Sequence, residues 1–295
     1  MTRVRLLHLS DLHLNATREL RYGVDADRAL DLVLASCAKV QDVAAVVVTG
    51  DVADDGSVAA YERARDTLLD FTTRRGARLV FCVGNHDDRA AFARVFGTGH
   101  FDQSGEECGQ PADLKDRAVA VSAVSGIRII SLDTLVPAKW YGRLGPAQLA
   151  WLEETLAGCR GDLTVLAFHH PPIDLAVEIQ RRIGLVDRDE LAATIRPDAV
   201  SAILCGHFHQ QIGGTVNGVR TWVTPGVFTR IDHVTAGHGT ERAFAGGSAT
   251  LVDVSPTREP VFATIPAADP EAGRLAYEAT ASELEHYLET YGLAK

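Results

Sequence analysis

The feature that most narrows the fold is an abrupt change of character at residue 83. Arg78-Leu79-Val80-Phe81-Cys82-Val83 is an apolar run of strand length, and it stops at Gly84-Asn85-His86-Asp87. A buried strand ending in a glycine and three hydrogen-bonding side chains has the form of a site at the carboxyl edge of an α/β sheet. Alone, Gly-Asn-x-Asp is equally ordinary turn chemistry. The same transition recurs, however. Val4 to Leu9 runs into Ser10-Asp11-Leu12-His13, and Ala44 to Thr49 into Gly50-Asp51. Leu163 to Phe168 runs into His169-His170-Pro171-Pro172, and Ala199 to Cys205 into Gly206-His207-Phe208-His209. Packing does not explain ligand-type residues at the ends of five apolar strands.

Asp11, His13, Asp51, Asn85, His169, His207 and His209 are therefore the candidate metal ligands. Imidazoles, carboxylates and an amide oxygen suit first-row transition metals. Seven side chains serve two ions only if one is shared, and Asp51 can bridge through both oxygens. Asp11 and His13 are two apart, so an extended chain would point both to one side. His8, in the body of its strand, is expected as a packed core histidine. His170 either supports a ligand or packs, and Asp54 either reaches the site or stays solvated.

The rest of the chain alternates strand and helix in its first half. Residues 27–39 carry apolar positions at helical spacing, and Ser57 caps a second helix running to Arg75. The polar, aperiodic stretch from Gly97 to Asp116 reads as a surface loop. Beyond it the pattern turns antiparallel: a hairpin around Ser125-Gly126, a helix from Ala147 to Leu156, and a hairpin of Ile212–Val216 and Val219–Val223 about Asn217-Gly218. Further strands are expected at 248–254 and 260–265. The chain is expected to form one domain, 1–268, followed by a helical C-terminal tail, 269–295, that packs back or mediates a homo-oligomer.

With 46% hydrophobic residues the chain has material for a full core. Its net charge of −10, from 29 basic and 39 acidic residues, offers no basic face for a nucleic acid polymer. Cys37, Cys82, Cys108, Cys159 and Cys205 are odd in number and contain no CxxC pair, which predicts a reducing compartment. No apolar stretch has the length of a membrane span or a signal peptide's core, so the expected location is cytoplasmic and soluble.

Asp11-x-His13, Gly50-Asp51, Gly84-Asn85-His86-Asp87, His169 and Gly206-His207-x-His209 resemble, in order and spacing, the five blocks of the calcineurin-like metallophosphoesterases. The resemblance runs from Arg5 to about Val254. It implies an α/β fold, a four-layer α-β-β-α sandwich with mixed sheets. It also implies that Asp11, His13, Asp51 and His209 bind one metal, and Asp51, Asn85, His169 and His207 the other. Iron and manganese are the expected pair, with zinc or cobalt as alternatives. The implied reaction is attack by a metal-bridging hydroxide on a small phosphodiester contacted by Asn85, His86 and His207. His86 is then the general acid, kept charged beside Asp87 as its orienting partner; the alternative for Asp87 is a turn former.

Asp55 and Asp87 depart from the protein phosphatases of that superfamily. His169-His170-Pro171-Pro172 and Leu132-Asp133-Thr134 look like the bacterial class III cyclic nucleotide phosphodiesterases. The expected reaction is cyclic AMP to AMP. The alternatives are a glycerophosphodiesterase or a catalytically inactive scaffold of the same fold. Two divalent ions with Asp11, Asp51 and a hydroxide leave a charge of about +1, which suits a diester; no Arg or Lys lies within the motifs. Trp140 and Tyr141 are candidates to stack on a purine, or else to anchor their loop.

Overall fold

The computed structural model describes residues 3–158, 163–174, 177–232, 240–256 and 258–294, and every structural statement below concerns these. Two mixed sheets lie face to face. The first has the strand order β15 (Arg258–Pro266), β14 (Ser248–Ser255), β1 (Val4–Leu9), β2 (Val43–Thr49), β3 (Arg78–Cys82) and β4 (His100–Phe101). The second has the order β10 (Ile212–Val216), β11 (Val219–Val223), β9 (Ala202–Cys205), β8 (Leu163–Ala167), β7 (Ile127–Ser131), β6 (Ala120–Val124) and β5 (Gln110–Pro111). β1, β2 and β3 are parallel, as are β7, β8, β9 and β11. Strands covered on both faces read as unbroken apolar runs, which is why the ligand-bearing strands stand out in the sequence.

Between the sheets, Leu6, Val47, Val80 and Cys82 meet Ile129, Val165, Ala167 and Leu204. The other face of the first sheet, with Leu7, Val46, Val48 and Phe81, is covered by α1 (Ala26–Cys37), α2 (Val58–Thr73) and α3 (Arg89–Phe96). The other face of the second sheet, with Ile130, Leu166 and Ile203, is covered by α4 (Pro146–Ala157), α5 (Glu178–Ile183), α6 (Arg188–Thr194) and α7 (Ala281–Tyr291). The architecture is the expected four-layer α-β-β-α sandwich. Local chemistry sets its helix ends: Asp25, Ser57 and Asp88 each accept a first-turn amide, and Pro146 opens α4. Asn217 and Gly218 both adopt left-handed backbone, as a two-residue hairpin turn requires.

Two stretches differ from expectation. The loop from Gly97 to Asp116 contains the short strands β4 and β5, and the His100 ring lies between the hydroxyls of Ser122 and Ser131 at 2.7 and 2.8 Å. The tail is not helical throughout. Leu275–Ala279 forms β16, which pairs with β13 (Glu241–Ala245), itself paired with β12 (Thr229–Asp232) in a third sheet. Helix α7 starts only after Thr280, which forms a capping box with Glu283. Cys37, Cys82, Cys108 and Cys205 are free thiols; Cys159 lies outside the described residues. Among the described residues no helix is long and apolar enough to cross a membrane.

Candidate active site

The predicted ligands gather where β1, β2, β3, β8 and β9 end, but not by the alternation of an extended chain. Asp11, His13, Asp51, His207 and His209 all have positive φ, between 49° and 72°. Left-handed backbone in non-glycine residues is strained and persists where surrounding contacts impose it. Here the loops after β1 and β2 stay bonded to each other: Asp11, His13 and Leu14 amides donate to the carbonyls of Gly50, Asp51 and Val52 at 3.0–3.1 Å. Leu12 turns into the core between its two ligand neighbours. The motif glycines make room. A Cβ on Gly84 would come within 2.2 Å of Asp51 Oδ1, and one on Gly206 within 1.7 Å of Ser10 Oγ.

The hydrogen bonds behind the rings decide what the cluster can hold. His169 Nδ1 donates to Thr49 O at 2.6 Å, His209 Nδ1 to Thr229 O at 3.0 Å, and His13 Nδ1 to Asp54 Oδ1 at 2.9 Å. Those acceptors fix the proton on Nδ1 and aim each Nε2 lone pair inward. His13 Nε2 then faces His209 Nε2 at 3.1 Å, and His169 Nε2 faces Asn85 Oδ1 at 3.1 Å and Asp51 Oδ2 at 3.2 Å. His207 is turned the other way. Its Nε2 donates to Ile183 O at 3.0 Å, leaving Nδ1 as the ligand atom.

Acceptors converging on acceptors repel unless a cation lies among them, so the donor set fits metal ions. Asp11, His13 and His209 form one convergent group, and Asp11, Asp51 and His169 another. Asp51 Oδ2 lies 3.2 Å from His169 Nε2 and 3.7 Å from His13 Nε2, between a ring of each group, and Asp11 belongs to both.

Protonation agrees with ligation. Burial lowers the His13 imidazole, takes His209 down to about 4 and lowers His207 well below its ordinary value. Neutral rings are the form that binds metal. In His169 the effect of burial is outweighed by Asp51 and Asp11, which raise the ring to about 9; it must give up that proton to ligate.

Beside the cluster, the structure reassigns the partner of His86. Asp87 does not orient it. The Asp87 carboxylate turns away and accepts from the amides of Val52, Ala53 and Gly84 and from the Tyr61 hydroxyl at 2.8–3.1 Å. Asp54 takes that place instead: His86 Nδ1 lies 3.1 Å from its carbonyl and 3.3 Å from its carboxylate. Nor is His86 held charged. Burial pushes the ring down to about 4, against the pull of Asp51. His8 is a core histidine as expected, bonded to Thr49 Oγ1. His170 bonds Thr134 through Nδ1, while its buried Nε2 has no partner.

The cluster forms the floor of a cavity of about 610 Å³. Asp51, Asn85, His86 and His207 line its polar side, joined by Arg21. Arg21 pairs with Asp54; it stands outside every motif, in a stretch with no periodicity to betray it. Trp140 also lines the cavity and stacks on Tyr291 at 5.0 Å, so it both faces the cavity and anchors its loop. Tyr141 is outside the lining. Much of the outer wall comes from the C-terminal tail, through Tyr277, Leu284, Tyr287 and Tyr291.

The calcineurin-like phosphoesterase family model matches residues 4–211, the stretch that carries all seven candidate ligands. The chain belongs to that family. The family implies a dinuclear centre, and the convergent His and Asp groups are capable of holding metal, so the protein is a metal-dependent phosphoesterase. Its relatives include a cAMP/cGMP dual specificity phosphodiesterase of Mycobacterium tuberculosis, 37% identical over 85% of this chain and 76% of that one. A 3′,5′-cyclic adenosine monophosphate phosphodiesterase of Escherichia coli is 30% identical over 76% of each chain. Among solved structures, one described as GAP50, the anchor in the inner membrane complex of Plasmodium, matches with a TM-score of 0.51. It is 9% identical over 98% of this chain and 94% of that one, a likeness of fold alone.

Proposed function

We propose that this phosphoesterase hydrolyses 3′,5′-cyclic nucleotides, converting cyclic AMP to AMP, with His86 protonating the leaving oxygen. The cavity carries the reading: a floor of ligand residues continues directly into a wall of aromatic and aliphatic side chains, in a volume suited to one nucleotide. The cyclic nucleotide phosphodiesterase activities of relatives at 37% and 30% identity support it. A cytoplasmic location belongs to the same proposal and rests on the free thiols of Cys37, Cys82, Cys108 and Cys205.

Asp11, His13, Asp51 and His209 would hold one ion, and Asp51, Asn85, His169 and His207 the other; iron or manganese suits these ligands best, and zinc or cobalt is compatible. Bound there, the metals would polarise the phosphoryl oxygens and ease deprotonation of the water nucleophile. The chain's own residues do the rest. Asp54 fixes His86 through Nδ1, leaving Nε2 for the substrate. In the free site the ring is neutral; a phosphodiester anion placed against it raises its pKa, and the ring takes up the proton it will donate. The water oxygen bonds to phosphorus and gives up a proton to solvent, the bond from phosphorus to O3′ breaks, and the His86 proton ends on the 3′ hydroxyl of AMP, leaving the ring neutral as in the free site.

The test is kcat/KM for cyclic AMP, cyclic GMP and glycerophosphoethanolamine on one metal-loaded preparation. A cyclic nucleotide should lead by about tenfold or more. A glycerol diester ahead by the same margin would transfer the chain to the glycerophosphodiesterases and leave the dinuclear centre standing.

A further inference from the structure

Three separate stretches contribute to the apolar lining of the cavity. Trp140 comes from the loop after β7, Ile179 and Ile183 from α5, and Leu284, Tyr287 and Tyr291 from α7. Helix α7 lies wholly outside residues 4–211, the part matched by the family model. Something must therefore seat it.

Arg182 does so. Its side chain, with only 7% of the residue exposed, donates from Nε to Leu293 O at 2.9 Å and from Nη2 to Leu288 O at 2.9 Å. Nη1 meets both Glu285 oxygens at 3.1 and 3.2 Å, and the Leu293 amide returns to Arg182 O at 2.8 Å. Leu288 O also accepts the Gly292 amide at 3.0 Å and Leu293 lies just past the helix, so the guanidinium adds bonds to an already capped helix end, where a cation complements the helix dipole. A planar fork reaches both carbonyls and Glu285 at once, which the single ammonium of lysine cannot do.

The same helix end holds the other wall. The Trp140 amide donates to Tyr291 O at 2.9 Å, beneath the stacked rings. Helix α7 thus fixes Trp140 on one side and α5 on the other. These are the two elements that face it across the apolar half of the cavity.

We propose that Arg182, by docking α7 against α5, builds the subsite for the base of the cyclic nucleotide, and is a positioning residue for that ring. The proposal rests on the cyclic nucleotide reading. Arg182 adjoins Ile183, whose carbonyl accepts from His207 Nε2 at 3.0 Å, so metal content is the readout that separates binding of the base from a disturbed floor.

The test compares cyclic AMP with its base-free analogue, 3′,5′-cyclic ribose phosphate, on metal-loaded wild type, Arg182→Met, Arg182→Lys and Tyr287→Ala. Arg182→Met should raise KM for cyclic AMP about tenfold, leave kcat within about threefold, and leave KM for the base-free compound unchanged. Arg182→Lys should recover only part of the loss. Tyr287→Ala, at a side chain too exposed to endanger folding, should shift KM in the same direction by a smaller factor. Metal content should stay at the wild-type value throughout. If wild type shows no preference for cyclic AMP over the base-free compound, the nucleotide reading fails. If that preference exists and survives both Arg182→Met and Tyr287→Ala, the role of Arg182 and α7 is refuted. Equal KM changes for both substrates would refute it too, as the mark of a general structural defect.

Discussion

The floor of the cavity and its outer wall are built by different means. The floor consists of buried side chains at the ends of β1, β2, β3, β8 and β9, several on left-handed backbone, with the outer nitrogen of each ring tied to a carbonyl or carboxylate. The wall consists of aromatic and aliphatic side chains, from buried Ile183 and Leu284 to exposed Tyr287, on a loop, a short helix and the tail, seated by Arg182 and the Trp140 amide. Charge must be placed to a fraction of an ångström to act on a phosphoryl group, and rigid, strained backbone provides that. A ring needs only a surface of the right width. Chemistry and selection are thus assigned to parts of differing stiffness, and substitutions should separate them.

The largest effect should follow Asp51→Ala. In the proposed assignment Asp51 bridges the two ions, so losing its carboxylate should take a ligand from each; elemental analysis should show the protein falling from about two ions per chain, with activity reduced about 10³-fold or more. Full activity in metal-free protein would break the distinction at its base. His86→Ala comes next. It should keep its metal and lose about 10²–10⁴ in turnover of cyclic AMP, whose leaving group is an alkoxide. For a nitrophenyl diester the loss should be much smaller, since that leaving group needs little protonation. Equal losses on both would remove the acid role.

A pair of neighbouring carboxylates sharpens the boundary within the floor. Asp54→Ala frees His86 and His13 together and should cost about 10–100-fold in kcat. Asp87→Asn should leave kcat within about threefold but place an amide among backbone donors, with a loss of about 1–3 kcal/mol in denaturant unfolding. The reverse pattern would restore Asp87 as the partner of His86.

The floor was legible because its residues are chemically conspicuous and follow apolar runs; the pattern named seven candidate ligands, and the fold brings them to one place. Their backbone was not. Nothing in Asp11-Leu12-His13 announces two left-handed residues, which arise from bonding to the neighbouring Gly50–Val52 loop. Sequence adjacency pointed to Asp87 as the partner of His86, but three backbone amides and Tyr61 claim its carboxylate. The wall was scarcely legible. Leu275-Ala276-Tyr277-Glu278-Ala279 has good helix formers, yet pairing with β13 makes it a strand. Arg21 and Arg182 reveal their roles only through partners far away in the chain.

The most direct test of this division is a crystal structure of the metal-loaded protein with a slowly hydrolysed phosphorothioate analogue of cyclic AMP. The phosphoryl group should lie against Asn85 and His86 above the Asp51 floor, with adenine on the surface formed by Trp140, Ile183 and Tyr287. Adenine directed past Arg21 into solvent, with that surface untouched, would contradict it.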